Sequence, residues 1–422
     1  MSNQNLFDVI VVGAGMAGLA AAHDLSGHPA LSVLVLEAQN YVGGRVKSSF
    51  EWGMPIELGA EFIHGKQSVL GKLADDLRLD MREAFSGHTL VDRNGKLMGA
   101  QTIQVYESLI DYVFEHGKQG ISVTKLIGNN PISPDLDICE LARHFFEDFE
   151  AASADEIDSG ALSEAYEKTK FFGSEIVFRN GYSEVVDYFI QGVRIELNKA
   201  VTDVNWESPE LVTVRIADGS YYSAQRVIMT CSLGVLKSGI VTFKPSLPVE
   251  KQLAINKLAM GNACKVLLRL RSADTARRIY RIANADSESL LLVTNWWESA
   301  SNERVLVGYV GGPRTAAVTA LSDAALKEMV IKELSKVFGE DFREELEEVK
   351  LARWDNNPYI QGAYSYHPLG VSNRDRKALA DRCGSLYWAG EATQIDGTYA
   401  MVHGAIASGY RAAKETLASL QQ

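Results

Sequence analysis

The 422-residue sequence predicts an α/β protein in which a doubly wound, parallel-sheet domain is interleaved with a second domain of mixed sheet and helices. Three observations carry this expectation. The chain opens on a strand, a glycine turn, a helix and a second strand. Strand-like apolar segments return between 193 and 231 and again near 386–390, and a mainly helical stretch, 80–178, separates the opening from the first return. The expected division gives 1–79, 179–247 and 368–422 to the doubly wound domain, and 80–178 and 248–367 to the second.

Each element follows from local pattern. In FDVIVVGAGMAGLAAAHDLS a continuous apolar run turns through glycines into an Ala-rich helix, and LSVLVLEA then supplies a second buried strand ending at Glu37. A β-α-β unit of this kind needs a right-handed crossover and a parallel sheet. Within 80–178, CELARHFFEDFE spaces its aromatic residues as a helix does. From 193, VRIELNKAVTDVNW and LVTVRIADGSYYSA alternate as strands, with Asp218-Gly219 as a hairpin turn, and RVIMTCSLGVLK resumes the buried-strand character of the opening. LSDAALKEMVIKELSKVF aligns Leu326, Val330, Leu334 and Phe338 on one helical stripe, with Asp323 in its first turn and Gly339 just beyond its end. LYWAG and HGAIASGYRAAKETLASL close the chain as strand and helix.

Composition excludes several classes. Hydrophobic content of 46% and charged content of 23% are those of a globular chain. With 42 basic and 54 acidic residues the net charge is −12, which disfavours nucleic acid and welcomes cationic ligands. Cysteines 139, 231, 264 and 383 form neither CxxC nor a disulfide framework, so a reduced, cytoplasmic chain is expected. No signal peptide and no membrane-spanning run is found, and HExxH, GxSxG and metal-binding Cys/His spacings are all missing, so neither membrane nor metal is expected. Two acidic runs stand out: 135–158, with nine acidic residues beside Arg143, and 340–348, with six beside Arg343. Both read as solvated helix faces, and the first has a second reading as a cavity entrance that steers polycations.

Gly13, Gly15 and Gly18 form GxGxxG at the strand-to-helix turn. The first permits the turn, the second lets the backbone approach a pyrophosphate, and the third lets helix pack on strand. The phosphates then sit at a helix N-terminus, among free N–H groups. Glu37, 19 residues after Gly18, stands where a carboxylate accepts bonds from ribose hydroxyls. NAD and FAD both satisfy this much. The continuation AQNYVGGRV resembles the GGR segment of two-dinucleotide flavoproteins, which implies FAD.

At this point the sequence resembles the flavin-containing amine oxidases along nearly its whole length. The matching segments are VIVVGAGMAGLAAA, LEAQNYVGGRV, ELGAEFIHG, VIMTCSLGVLK, MGNACKVLLRL, RWDNNPYIQGAYSY and LYWAGEATQIDGTYAMVHGAIASGYRAA. The resemblance implies a Rossmann-type, p-hydroxybenzoate-hydroxylase-like FAD-binding domain interleaved with a substrate-binding domain. It makes Lys265 the lysine that reaches flavin N5 through a water and stabilises negative charge on reduced oxygen. Read alone in CKVLLRL, the same lysine is a snorkelling edge residue. The resemblance makes Tyr364 the aromatic beside the flavin ring, where a dry wall favours the neutral amine that gives hydride to N5. Ala363 precedes it where covalent monoamine oxidases have the flavin-bearing Cys, so FAD is expected to be non-covalent. Met401 falls where those enzymes place a second cage Tyr, with Tyr399 two residues away, and His64 matches the substrate-facing His of many polyamine oxidases.

Around these, Glu61, Phe62 and Trp354 are expected to border flavin or substrate, and Ala38, Gly44, Arg45, Gly59, Ala60, Val201 and Tyr359 to complete the cofactor lining. Gly390 and Glu391 are expected to hold ribityl and phosphate. The helix from Val402 would aim its positive end at N1 and the C2 carbonyl, favouring anionic reduced flavin. The implied reaction is oxidation of a small cationic amine, polyamine-type first, with O2 reduced to H2O2. A monoamine or L-amino-acid oxidase is the alternative, although ELGAEF lacks the carboxylate-gripping Arg of the latter. A non-redox flavin scaffold or isomerase is the alternative of another class.

Overall fold

The structure, a computed structural model, describes residues 6–84, 90–91, 96–273 and 293–421. Its main sheet runs in spatial order Thr242–Lys244, Val201–Asn205, Val212–Ile216, Tyr221–Met229, Leu6–Val12, Val33–Leu36 and Ile195–Glu196, with Leu386–Trp388 also paired to Tyr221–Met229. Leu6–Val12 is parallel to both Val33–Leu36 and Tyr221–Met229, and Leu386–Trp388 is parallel to the latter. Their registers bring Val12, Leu36, Met229 and Trp388 to one edge. In open α/β sheets that carboxyl edge is where ligands bind.

The alternation of the opening strand explains why the sheet is buried on both sides. Val9, Val11 and Val35 pack with the helix Met16–Ser26 and the closing helix Val402–Leu420, whereas Ile10, Val12, Leu34 and Leu36 pack on the opposite face with Trp388. Each such Val, Leu or Ile side chain contributes about 1.5–3 kcal/mol by leaving water. The closing helix meets the opening one at Gly409, where a Cβ would lie 2.3 Å from the Ala17 carbonyl oxygen. The 193–231 hairpin forms as expected, with Arg215 opposite Tyr221. RVIMTCSLGVLK is strand only as far as Met229; Ser232 then accepts the Val235 N–H and starts the helix Leu233–Ser238.

The segment 80–178 contains the helices Ala100–His116, Val123–Gly128, Leu136–Glu150 and Ser159–Thr169 around a separate apolar core that includes Leu109, Val113 and Phe146. Ser122, Asp135 and Asp158 cap the last three through their side chains. Short strands at both ends of the segment, Met81–Glu83 and Ile176–Phe178, form a small sheet with Phe62–Ile63. A four-stranded antiparallel sheet follows, in the order Asn295–Glu298, Val305–Gly311, Ala263–Leu270 and Leu346–Arg353, backed by the helix Asp323–Phe338. These separate cores support our proposal that the chain divides broadly as the sequence suggests, except that the helix Val249–Lys257, expected in the second domain, buries Ala254 and Ile255 in the core of the main sheet. No described helix is long and apolar enough to cross a membrane.

The solvated-face reading fails for four members of the first acidic run, Glu147, Asp148, Glu150 and Asp158, which are buried, and holds for Asp155 and Glu156, which are exposed. Asp148 is held by Arg314 at 2.7 Å and by the Gly311 N–H, and Glu147 pairs with Arg143. The second run is a surface ion-pair face, in which Glu347 and Glu348 each lie 3.2 Å from Arg269.

Candidate active site

At the carboxyl edge of the main sheet the three glycines sit as their spacing demands. Gly13 has φ +106°, and a Cβ there would lie 2.7 Å from the Thr230 hydroxyl; a Cβ on Gly18 would lie 2.0 Å from the Gly13 carbonyl oxygen. Gly15 is different, since nothing stands within 4 Å of where its Cβ would be, and it begins the helix Met16–Ser26 with no side-chain cap. Open space in front of uncapped helical N–H groups suits an anionic phosphate. Glu37 is buried beside them, accepting the Ala14 N–H at 2.6 Å and the Gln39 N–H at 2.8 Å. Burial pushes its carboxyl up from the ordinary range, against the pull of those N–H groups.

From the GGR segment, Arg45 donates to the Ala363 carbonyl at 2.7 Å and to Glu391 at 3.0 Å. Glu391 also accepts the Ser365 hydroxyl at 2.6 Å and the Ala400 N–H at 3.0 Å. The Ser365 hydroxyl in turn accepts from the fully buried Arg376 at 2.8 Å. Burial disfavours charge on Glu391, but Arg45, Ser365 and Arg376 outweigh it and hold the carboxyl below its usual range. Beside it, Gly390 has φ +130° and open space where a Cβ would be.

The second wall comes from the four-stranded sheet. Lys265 is not at an edge: its strand is paired on both sides, and the residue is buried. An isolated strand pattern cannot reveal its neighbours, which is why CKVLLRL misleads. The Lys265 ammonium donates to Glu61 at 2.7 Å and to the Glu57 carbonyl at 3.1 Å. Burial pushes the Glu57 carboxyl up to about 7. Tyr364 and Tyr309 face the same space with their hydroxyls 2.6 Å apart. Glu150, buried at the end of its helix, is pushed up to about 7 by burial, and among the described residues its one hydrogen bond is a 3.5 Å contact from Tyr399. At the rim, half-buried His64 lies 3.0 Å from Glu175, which raises its pKa although burial works against the charge.

One continuous cavity of about 1030 Å³ joins these walls. Every residue expected from the sequence lines it except Gly18, which packs beneath Gly13. Lys265, Tyr364 and His64 meet there with Glu61, Phe62, Trp354, Tyr359, Met401 and Val402, and so do Val201, Ala38, Gly44, Gly59 and Ala60. Tyr309 and Trp297 also line it and were not foreseen, their one sequence signal being aromatic or apolar surroundings that core residues share; Glu150 lines it too, and its sequence signal was only its membership of the acidic run 135–158 with its second reading as a cavity entrance. A cleft with bare glycines at both Gly15 and Gly390, a buried ribose-level carboxylate and uncapped N–H groups fits a flavin dinucleotide. The cavity-lining thiols of Cys231 and Cys264 are both pushed up to about 12 by burial, and the position before Tyr364 is Ala363. Among the described residues no group of His, Cys, Asp and Glu could hold a metal ion.

Comparison with known proteins follows the same course along the chain. The family model described as flavin containing amine oxidoreductase matches residues 16–417. Polyamine oxidase 4 of Oryza sativa subsp. japonica is 30% identical over 441 residues, covering 96% of this chain and 88% of its own length. Polyamine oxidase 1 of Zea mays is 26% identical over 448 residues, with coverage of 96% and 89%. The solved structure of wild-type putrescine oxidase bound to putrescine aligns with a TM-score of 0.82 at 21% identity, covering 98% of this chain and 99% of that one. With the match running from the opening helix into the closing one, the chain belongs to the flavin-containing amine oxidoreductase family, and its cofactor is FAD.

Proposed function

We propose that the protein oxidises a polyamine-type amine to an imine, which water hydrolyses to an aldehyde and a smaller amine, with dioxygen as acceptor and hydrogen peroxide as product. Glu150 carries the choice of substrate class. It is a buried carboxylate lining the cavity, barely hydrogen-bonded, at the negative end of the helix Leu136–Glu150. Such a group suits a second ammonium on the substrate, whose arrival compensates a charge that is costly to bury alone. The polyamine oxidases among the relatives support the same class.

Bound FAD supplies the two-electron acceptor, and Gly15, Glu37, Arg45 and Gly390 would hold it. Tyr364 excludes water on the substrate side and favours the neutral form of the reacting amine. Lys265, with Glu61 balancing its charge, keeps an ammonium fixed in a dry wall, where it stabilises negative charge developing on reduced oxygen. His64, coupled to Glu175 at the rim, is placed to exchange a proton with solvent. Four free cysteines accord with a reducing, cytoplasmic setting.

An amine panel with peroxide detection tests this reading: spermine, spermidine, putrescine, acetylated polyamines and aromatic monoamines. Tri- and tetra-amines are expected to give the highest kcat/KM, and equal activity on monoamines would refute the assignment. Glu150→Gln is expected to raise KM for those polyamines about tenfold and to leave monoamines little changed. Because the Glu150 carboxyl sits at about 7, its charged fraction grows as pH rises through that value. The wild-type advantage over Glu150→Gln should therefore widen from pH 6 to pH 8, and a pH-independent ratio would contradict the role. The FAD is non-covalent in this proposal, so acid precipitation should release the yellow colour into the supernatant.

A further inference from the structure

The cavity wall contains a hydroxyl pair whose second member has no place in the chemistry above. Tyr309 stands directly across from Lys265 in the register of the antiparallel sheet, and its hydroxyl oxygen lies 2.6 Å from that of Tyr364. The Tyr364 oxygen is also 3.1 Å from the Asp148 carbonyl and 3.0 Å from the Phe149 carbonyl. Carbonyls only accept, so the Tyr364 proton points to them and Tyr309 supplies the proton of the pair.

Those two carbonyls belong to the last turn of the helix Leu136–Glu150, where acceptors lack intrahelical partners and the negative dipole end collects. The helix stops there because Ala151 adopts φ 53° and ψ 31°, a left-handed conformation that non-glycine residues seldom hold. The Asn262 N–H fixes it by donating to the Ala151 carbonyl at 2.8 Å. Ala151, Ala263 and Ala363 then pack as a small apolar cluster against both tyrosines. Burial pushes both phenols above their ordinary pKa, so both protons stay in place.

We propose that Tyr309 is a positioning residue: its hydroxyl pins the ring of Tyr364 between the four-stranded sheet and the end of the Leu136–Glu150 helix, so that the incoming amine meets a single ring orientation. With the helix carbonyls alone, the Tyr364 hydroxyl is anchored from one side; the donor on the sheet fixes it from the other. This rests on the reading that Tyr364 borders the path of the amine.

The test is a cycle of Tyr309→Phe, Tyr364→Phe and the double variant, each purified as holoenzyme. Three quantities are measured: the limiting rate of anaerobic flavin bleaching by spermidine, the spermidine dissociation constant from the same titration, and Tm. Tyr309→Phe is expected to lower the limiting rate about fivefold, the worth of one hydrogen bond, with the dissociation constant within about twofold of wild type. In the Tyr364→Phe background the same change is expected to cost little further rate, and the Tm losses should likewise be non-additive. A full, additive loss in that background would overturn the proposal, as would an unchanged rate in Tyr309→Phe beside a slowed Tyr364→Phe. An unchanged Tyr364→Phe would overturn it too, because the anchored hydroxyl would then not matter; an unchanged Tyr364→Ala, which removes the ring itself, would instead remove the underlying reading, and the proposal with it.

Discussion

Replacing Lys265 by Met is expected to slow reoxidation of the reduced enzyme by dioxygen about 100-fold or more, far beyond its effect on amine-driven bleaching. The ammonium is one of few charges that the cavity wall holds in a fixed place: it is buried, 2.7 Å from Glu61 and 3.1 Å from the Glu57 carbonyl, on a strand paired along both edges. A charge held that way needs no reorganisation when negative charge develops beside it. The substitution also strands Glu61 without its partner, and an uncompensated buried charge is itself destabilising. Combining Lys265→Met with Glu61→Gln separates the two effects. If the double variant remains slow in stopped-flow reoxidation while its Tm recovers, the ammonium acts on oxygen; if reoxidation recovers with stability, the lysine is structural.

The second large effect is expected at Glu391, where Glu391→Ala should cost about 3–5 kcal/mol in urea unfolding and yield protein that purifies without colour. The carboxylate gathers Arg45 from the other end of the domain, 346 residues away, together with the Ser365 hydroxyl and the Ala400 N–H. Its removal leaves a guanidinium facing the cavity whose one remaining hydrogen-bond partner among the described residues is the Ala363 carbonyl. Glu391→Gln keeps an acceptor and should fall between the two. The pH dependence has a definite sign. The folded-state pKa is depressed relative to the ordinary value of 4.5, so the stabilisation is complete above that value and is lost as pH falls through the lower, folded one. Wild type should therefore lose stability faster than Glu391→Gln in acid, and parallel pH–stability curves would contradict the hub role.

Much of the nucleotide end is legible in sequence because its demands fall on the backbone. A positive φ at Gly13 and a 2.0 Å approach at Gly18 leave no choice but glycine, and such constraints are local. The substrate end is legible only through resemblance. Lys265 looks like an edge residue until both of its flanking strands are known. Glu150 and its partner Tyr399 are 249 residues apart, and Tyr309 and Tyr364 are 55 apart, so no window along the chain contains the pair. The acidic run 135–158 illustrates the same limit: its composition suggests a wet surface, whereas the fold turns its later members inward to hold Arg314, to cap a helix and to charge the cavity.

The contact between the helices Met16–Ser26 and Val402–Leu420 ties together parts of the nucleotide clasp that are made far apart in time. The strand Leu386–Trp388, the Gly390 turn and the helix seated on Ala17 through Gly409 are synthesised long after the glycine turn, yet they form one side of the clasp around the nucleotide. A nascent chain carrying only the glycine turn has half a clasp. A chain cut short before Trp388 would lack that side of the clasp.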